Sequence, residues 1–413
     1  MNKKLISPDF FPNFEEDDYK IIKDLLFKRK ENLTKGEYEN FLINELKKFF
    51  PNSEIFLFNS ERGALQKFLE FYLNKIQNKK VATQAFTCFV VPNAILKAGG
   101  IPIFLDIKRG HLNFDEEILK DSLNKNKDIS VVILQNTFGI PNEINKILEI
   151  TEENNILLIE NLAHSFGAKY KEKYLGNFGK VALLTFGRSK VISGIFGGAL
   201  IINDKNLGEE FKSIYEKIKY PSHFWIRKTL FYAYMVGKIR SNYNKFTKGL
   251  AYTLRFFKII EPEISKKEYS GQEDEIRCLK MPNAFAKIAL NQLKKIYKFS
   301  EHREKIAKIY LKEGILPYAE VPSQFEFYYL RYPITVKNPN KLIESLKKYN
   351  IYLGNWYNSP LAPLKKRLDR FGYYYGMCKN AEELCFSICN LPTNILTSED
   401  DAYFVSDLIK KFK

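Results

Sequence analysis

The chain has 413 residues, 45% hydrophobic and 27% charged, with 34 Phe and 25 Tyr. It is too apolar for a disordered polypeptide and too long for one small core, so two or three domains are expected. Five sparse cysteines (Cys88, Cys278, Cys378, Cys385, Cys389) exclude a secreted disulfide scaffold, and no window of ~18 uncharged apolar residues offers a membrane-spanning helix.

The start, MNKKLISPDFFPNF, has a basic tip but meets Pro and Asp before any apolar run, so no signal peptide is expected and the protein reads as cytoplasmic. Residues 14–50 read as helices, with Leu42, Ile43, Leu46, Phe49 and Phe50 on one face of the second. From Glu54 short apolar runs recur: EIFLF (54–58), KVATQ (80–84), IPIFLDI (101–107), SVVILQ (130–135) and ILLIE (156–160). Helix-like stretches over 63–74, 91–98, 115–124 and 142–154 separate them. This alternation predicts a mostly parallel sheet covered on both faces. Two further strands, VALLTF (181–186) and GALIIN (198–203), follow without a full helix between them, and a helix is expected over 207–220.

Lys and Arg exceed Asp and Glu by 17, and the excess is concentrated. Residues 217–260 hold ten basic side chains, eleven aromatic ones and no acid. Interleaved cations and rings suit a membrane interface, with Lys and Arg meeting anionic headgroups. They also suit a nucleic-acid surface, although such binders spread their charge more widely. In a third reading the rings pack on the domain or a dimer interface while the lysines reach water. Beyond the block, a connection ends near Arg277 and a long helix runs from Pro282 to about Leu311. A strand FEFYYLRYPI (325–334), a helix over 339–348, an aromatic-rich loop near Trp356 and a last helix from Ser398 complete the chain. The expected division is 1–50 for N-terminal helices, 51–270 for a large α/β domain carrying the basic-aromatic block, and 271–413 for a smaller α+β domain.

Ligands of parallel sheets bind beyond the carboxyl ends of the strands. After 54–58 come Asn59, Ser60, Glu61, Arg62 and Gly63, where free N–H groups and Arg62 would hold a phosphate, unless Asn59 and Ser60 merely cap a helix. Phe86 to Phe89, with Cys88, follow the second strand, and Asn136 to Gly139 follow 130–135. Asn161 and His164 follow 156–160; a lone histidine is equally a core or cap residue. Lys190 sits in the turn after Thr185, where apolar surroundings favour an unprotonated amine nucleophile; its competing reading is a solvated lysine. The four histidines (His111, His164, His223, His302) are scattered and Cys385 and Cys389 lack a second pair, so no metal site is expected. Gly194, Gly197 and Gly198 fit no dinucleotide or P-loop spacing.

The order of these segments resembles a known family, the DegT/DnrJ/StrS-type sugar aminotransferases, pyridoxal 5'-phosphate (PLP) enzymes of fold type I. The resemblance covers residues 30–205 and 275–413. It is carried by NSERGAL (59–65), AFTCFVVPNAILKAGGIPIFLDI (85–107), QNTFG (135–139), IENLAHSFGAKY (159–170), TFGRSKVISGIFGGALI (185–201), KMPNAFAKIALNQL (280–293) and NAEELCFSICNLPT (380–393). It implies an aspartate-aminotransferase-like large domain, a smaller C-terminal α+β domain, PLP as cofactor and a homodimer with shared active sites. By position Lys190 matches the lysine that holds PLP as a Schiff base, and Thr185 the residue that binds its phosphate. Arg62 and Gly63 match the helix-start pair that does the same, and His164 lies near the phenolic oxygen. Phe89, or Cys88 beside it, takes the place of the ring that stacks on the pyridine. Cys278 and Lys280 stand where the family has an Asn, reaching the partner's phosphate, and an Arg. Lys280 and Trp356 are the substrate-side candidates.

In the family an Asp pairs with the pyridine nitrogen; here that residue is Asn161. An amide can hydrogen-bond the nitrogen but supplies no charge, and loss of an adjacent carboxylate shifts such a pKa by roughly 1–3 units. Retention of Lys190 argues against the family's dehydratase branch, which has histidine there. Two functions stay open. One is an aminotransferase acting on a nucleotide-linked keto sugar in surface-glycan biosynthesis, with glutamate as donor. The other is a dimeric binding or scaffold protein of the same fold with weakened chemistry, at a membrane surface.

Overall fold

The computed structural model describes residues 4–9, 12–28, 31–241, 249, 262–272 and 274–412. Its centre is a seven-stranded sheet in the order Glu54–Phe58, Gly198–Ile202, Val181–Thr185, Leu157–Asn161, Ile129–Gln135, Lys80–Gln84, Ile101–Leu105. Gly198–Ile202 runs antiparallel to both neighbours and every other pairing is parallel. Alternate residues along a strand serve opposite faces. Val131, Ile133, Val181 and Leu183 join a cluster with Phe68, Leu69 and Phe211. Val132, Leu134, Ala182 and Leu184 join one with Ile147, Phe285 and Ile288 on the other side. Burial on both faces explains why these strands read as continuous apolar runs, and each buried Leu or Ile contributes about 1.5–3 kcal/mol.

Side-chain caps start the flanking helices where the sequence changes from extended to helical. Ser60 Oγ accepts the Gly63 N–H (3.1 Å), Asp115 that of Ile118 (3.1 Å) and Asp204 that of Leu207 (3.0 Å). The first of these helices, Glu61–Leu73, begins against Gly198. A Cβ at Gly198 would lie 2.3 Å from Glu61 N, so glycine lets the helix start pass over the sheet.

Three expectations need correction. The helix expected over 282–311 is two, Asn283–Leu293 and Ile296–Lys312. The break falls where Lys295 Nζ reaches Asp17 (2.9 Å) and the buried Asp18 (2.8 Å). The strand expected over 325–334 is also divided. Phe325–Glu326 pairs with Lys169–Tyr170, and Tyr332–Thr335 with Ile388–Leu391. In between, the Leu330 N–H donates to the Phe138 carbonyl (2.8 Å), so the chain leaves one ladder, crosses the sheet's end and joins another. Ile6 belongs to the core under that second ladder rather than to the N-terminal helices, bridging to Ile351.

Of the basic-aromatic block, residues 242–248 and 250–260 lie outside the described residues. His223–Ser241 is a helix packed along Glu16–Phe27. It buries Trp225, Ile226, Leu230, Tyr232, Ala233 and Val236, with the Trp225 ring 5.8 Å from both Phe196 and Phe285. Arg227 donates to the Leu26 carbonyl (3.0 Å). For this half the rings pack on the domain; Phe224, 77% exposed, points away from it. Among the described residues no helix is long and apolar enough to cross a membrane, and no three His, Cys, Asp or Glu side chains gather as a metal site.

Candidate active site

The carboxyl ends of 54–58, 80–84, 129–135, 157–161 and 181–185 open onto a cavity of about 370 Å³. Its floor carries Ser60, Glu61, Arg62, Asn161, His164, Thr185 and Lys190. Its far wall comes from the C-terminal part of the chain, with Arg331, Trp356 and Tyr357. That wall is tied down by backbone pairing: the Thr87 N–H donates to Pro360 and the Phe89 N–H to Ala362, each at 3.0 Å.

Of the residues singled out in the sequence, Arg62, Cys88, Asn161, His164, Thr185, Lys190 and Trp356 line this cavity. Gly63, Phe89, Cys278 and Lys280 do not. Gly63 is where the helix crosses residues 275–278; a Cβ there would lie 2.0 Å from the Arg277 carbonyl oxygen. Phe89 is buried between Tyr269 (5.3 Å) and Phe371 (5.7 Å). Cys278 is buried with its Sγ 3.5 Å from Gln66 Oε1, and Lys280 lies over Tyr215, its Nζ donating to the Glu216 carbonyl.

Lys190 has the surroundings an amine nucleophile needs. Burial lowers its proton affinity and the Arg331 guanidinium lowers it further, while Glu61 and Glu263 oppose them. His164 is buried, and the Phe138 N–H donates to its Nδ1 (3.1 Å), which puts a neutral ring's proton on Nε2. Burial, then the charges of Lys190 and Arg331, hold its pKa well below the usual value. Phe138 adopts φ +56° in presenting that N–H, a backbone state seldom taken by aromatic residues. Burial pushes the Cys88 thiol up to about 11, so it stays protonated. Asn161 is committed at both ends: its Oδ1 accepts the Ala163 N–H (2.9 Å) and its Nδ2 donates to Glu61 Oε1 (2.9 Å).

An anion site lies beside Lys190. The Gly187 N–H donates to Thr185 Oγ1 (3.2 Å) and the Arg188 N–H to Glu263 Oε1 (3.1 Å). A Cβ on Gly187 would lie 3.3 Å from both of those oxygens. Burial works to raise the Glu263 pKa, yet Arg188, Lys190, Arg62 and Arg331 together hold it below the usual carboxylate range. The turn therefore stabilises a negative charge, and here the chain's own carboxylate supplies it. Arg62 faces the same segment, donating to the Glu263 carbonyl and pairing with Glu268. An aldehyde-bearing phosphate fits this donor set: an amine of lowered basicity at Lys190, an N–H at His164, and an anion cradle at Thr185, Gly187 and Arg188.

Sequence reasoning missed Glu61, Glu263, Arg331 and Tyr357. Glu61 stands in the NSERGAL motif, which was read for its cation. Glu263 is the second acid after the acid-free block, in Glu261-Pro262-Glu263, and acids returning there are the available signal. Arg331 was hidden inside a run expected to be one strand.

The profile of the DegT/DnrJ/EryC1/StrS aminotransferase family matches residues 15–223 and 264–410, leaving Glu263 and most of the basic-aromatic block outside it. A UDP-4-amino-4,6-dideoxy-N-acetyl-beta-L-altrosamine transaminase of Campylobacter jejuni is 27% identical over 257 residues, 62% of this chain and 65% of its own. GDP-perosamine synthase of Escherichia coli O157:H7 is 33% identical over 132 residues, 32% of this chain and 35% of its own. The putative sugar aminotransferase Spr1654 from Streptococcus pneumoniae, solved in its PLP form, superposes with a TM-score of 0.76 over 98% of both chains at 17% identity. Its fold is that of this chain. With the sheet, the lysine turn and the profile in agreement, the chain belongs to the DegT/DnrJ/EryC1/StrS aminotransferase family and has the fold of its PLP-dependent sugar aminotransferases.

Proposed function

We propose that this chain is a PLP-dependent aminotransferase that moves an amino group from glutamate to a nucleotide-linked keto sugar destined for surface glycan. The observation that carries this reading is Lys190: an amine of depressed basicity, in a cavity at the strand ends, beside a cradle that stabilises an anion. PLP bound there supplies an aldehyde for the amine and a ring that stores the electron pair of a breaking C–H bond. Lys190 Nζ would take and return the proton at the substrate carbon. His164 Nε2 would donate a hydrogen bond to a ligand oxygen, and Asn161 offers an amide where the family has a charge. The C. jejuni and E. coli relatives are named for nucleotide sugars, which supports that substrate class. A homodimer with shared active sites belongs to this reading through the family resemblance alone. The cavity wall drawn from beyond residue 271 fits the division into large and small domains.

The test is the near-UV and visible spectrum with added PLP, then borohydride reduction and peptide mapping. Label at Lys190 is expected. A natively folded protein that takes no label sinks the reading. A second reading, a dimeric binding protein of the same fold, is favoured by the Glu263 carboxylate held in the cradle. It requires label at Lys190 to be weak or absent and no amino transfer to any keto sugar.

A further inference from the structure

We propose that the outward face of the helix His223–Ser241 docks the protein on an anionic lipid surface. The proposal is independent of the cofactor reading, and the face lies in the stretch that the family profile leaves out. Residues 224, 228, 231, 235 and 238 are spaced alternately four and three apart, which sets them along one side of a helix. They are Phe224, Lys228, Phe231, Met235 and Lys238. The opposite side, with Trp225, Ile226, Leu230 and Ala233, is sunk in the core and fixes the direction in which the stripe points. Phe224, Phe231 and Lys238 are exposed, and Lys228 and Met235 are half-buried. Phe27, exposed on the neighbouring helix, widens the stripe through its contact with the Tyr234 ring (5.7 Å).

The charge around the stripe has one sign. From Lys217 to Ile260 there is no Asp or Glu. The helix alongside, Glu16–Phe27, adds exposed Lys20 and Lys23, and Lys28 follows it. Of its acids, Asp17 and Asp18 are held by Lys295 and Asp24 by Lys28. Rings set among cations are what a headgroup layer accepts: the rings enter it while lysines, on long apolar stems, meet lipid phosphate. At 19 residues the helix is about 28 Å long and lies flat on the domain, so it offers this face to a bilayer without crossing it. A second copy of the chain would set the acid-free face against itself, cation to cation. A nucleic acid would engage the lysines, but Phe224, Phe231 and Met235 offer it no hydrogen-bond donor and gain most by leaving water altogether.

The test is co-sedimentation of the full-length protein with phosphatidylcholine vesicles, with and without phosphatidylserine. Binding is expected to the anionic vesicles, at least tenfold weaker to the neutral ones, and weaker again as salt is raised. F224S/F231S, which removes the rings and keeps every charge, is expected to bind the anionic vesicles at least tenfold more weakly with its melting temperature and oligomeric state unchanged. K228Q/K238Q should weaken binding at least fivefold. F224W supplies a reporter that leaves the helix intact: its added emission should shift to the blue on anionic vesicles. Equal vesicle binding by F224S/F231S and the natural protein overturns the proposal, as does a natural protein that binds no anionic vesicle or a bound F224W with no shift. A change of oligomeric state in F224S/F231S would assign the face to a second copy instead. Tighter binding to a mixed-sequence single-stranded DNA, lost in the same variant, would assign it to nucleic acid. Either result sinks the lipid site. Borohydride labelling of Lys190, run on each variant, should be unaffected, so failure of docking and failure of the cofactor reading are told apart.

Discussion

The Asn161 side-chain amide donates to the Glu61 carboxylate at 2.9 Å, and its own oxygen is held by the Ala163 N–H, so the amide cannot turn over without losing both bonds. From the sequence alone, Asn161 stands as the single residue at which a charge is missing, and Asn161→Asp would be the obvious way to restore it. The pairing says otherwise. An Asp at 161 would face Glu61, whose pKa burial already raises, and two adjoining carboxylates share one proton. N161D alone is therefore expected to gain little, whereas N161D with E61Q should exceed it in kcat by about tenfold, one to three pKa units being at stake. Equal kcat values in the two variants would show that Glu61 does not govern residue 161.

Glu263 and a ligand phosphate are expected to compete for the Gly187–Arg188 turn. Removing the internal charge in E263Q should tighten PLP by about tenfold, since four cations then lack an anion. Spectroscopic titration of both proteins reads this directly. Unchanged affinity would place the phosphate away from Glu263.

Stability should depend on pH through His164. Its pKa is depressed in the folded protein, so the unfolded chain binds a proton first as pH falls. Stability is therefore full above the ordinary histidine pKa of about 6.5 and declines as pH drops below it. His111 and His302 are shifted the same way and contribute to that slope. H164Q should flatten part of it, measured as urea midpoints between mildly acidic and neutral pH; an unaltered slope would contradict a neutral buried ring.

Gly63 should prove structural. G63A drives a Cβ against the Arg277 carbonyl and is expected to cost about 1–3 kcal/mol in denaturant unfolding. S60A, which removes the cap of the same helix, should cost about 1 kcal/mol. A G63A protein as stable as the natural one would mean the helix start moves freely over residues 275–278.

Much of the sheet is legible in the sequence because its signals are local: runs such as SVVILQ are apolar throughout, and Ser60, Asp115 and Asp204 announce the helices that follow. The same locality gives the lysine turn and the Asn161–His164 loop, which sit directly at strand ends. Other features depend on partners far along the chain. Residues 325–334 read as one strand because nothing nearby signals that Leu330 will bond Phe138. At the break, Lys295 pairs with Asp17 and Asp18, nearly 280 residues earlier. Glu263 and Arg331 reach the cavity only through such crossings, so their charges could not be assigned to it from spacing.

The helix His223–Ser241 bears on how the basic-aromatic block should be cut. Excising 217–260 as a whole, the obvious way to ask whether the block docks on lipid, would strip Trp225 from Phe196 and Phe285 and Tyr234 from Phe27. Vesicle binding by such a protein would register exposed core rather than a lost docking surface. A cut that begins after Ser241 and ends before Pro262 keeps those rings covered and the Arg277 to Pro262 hydrogen bond intact (3.0 Å). Point changes at Phe224 and Phe231, which are 77% and 38% exposed, ask the same question of the helix without opening it.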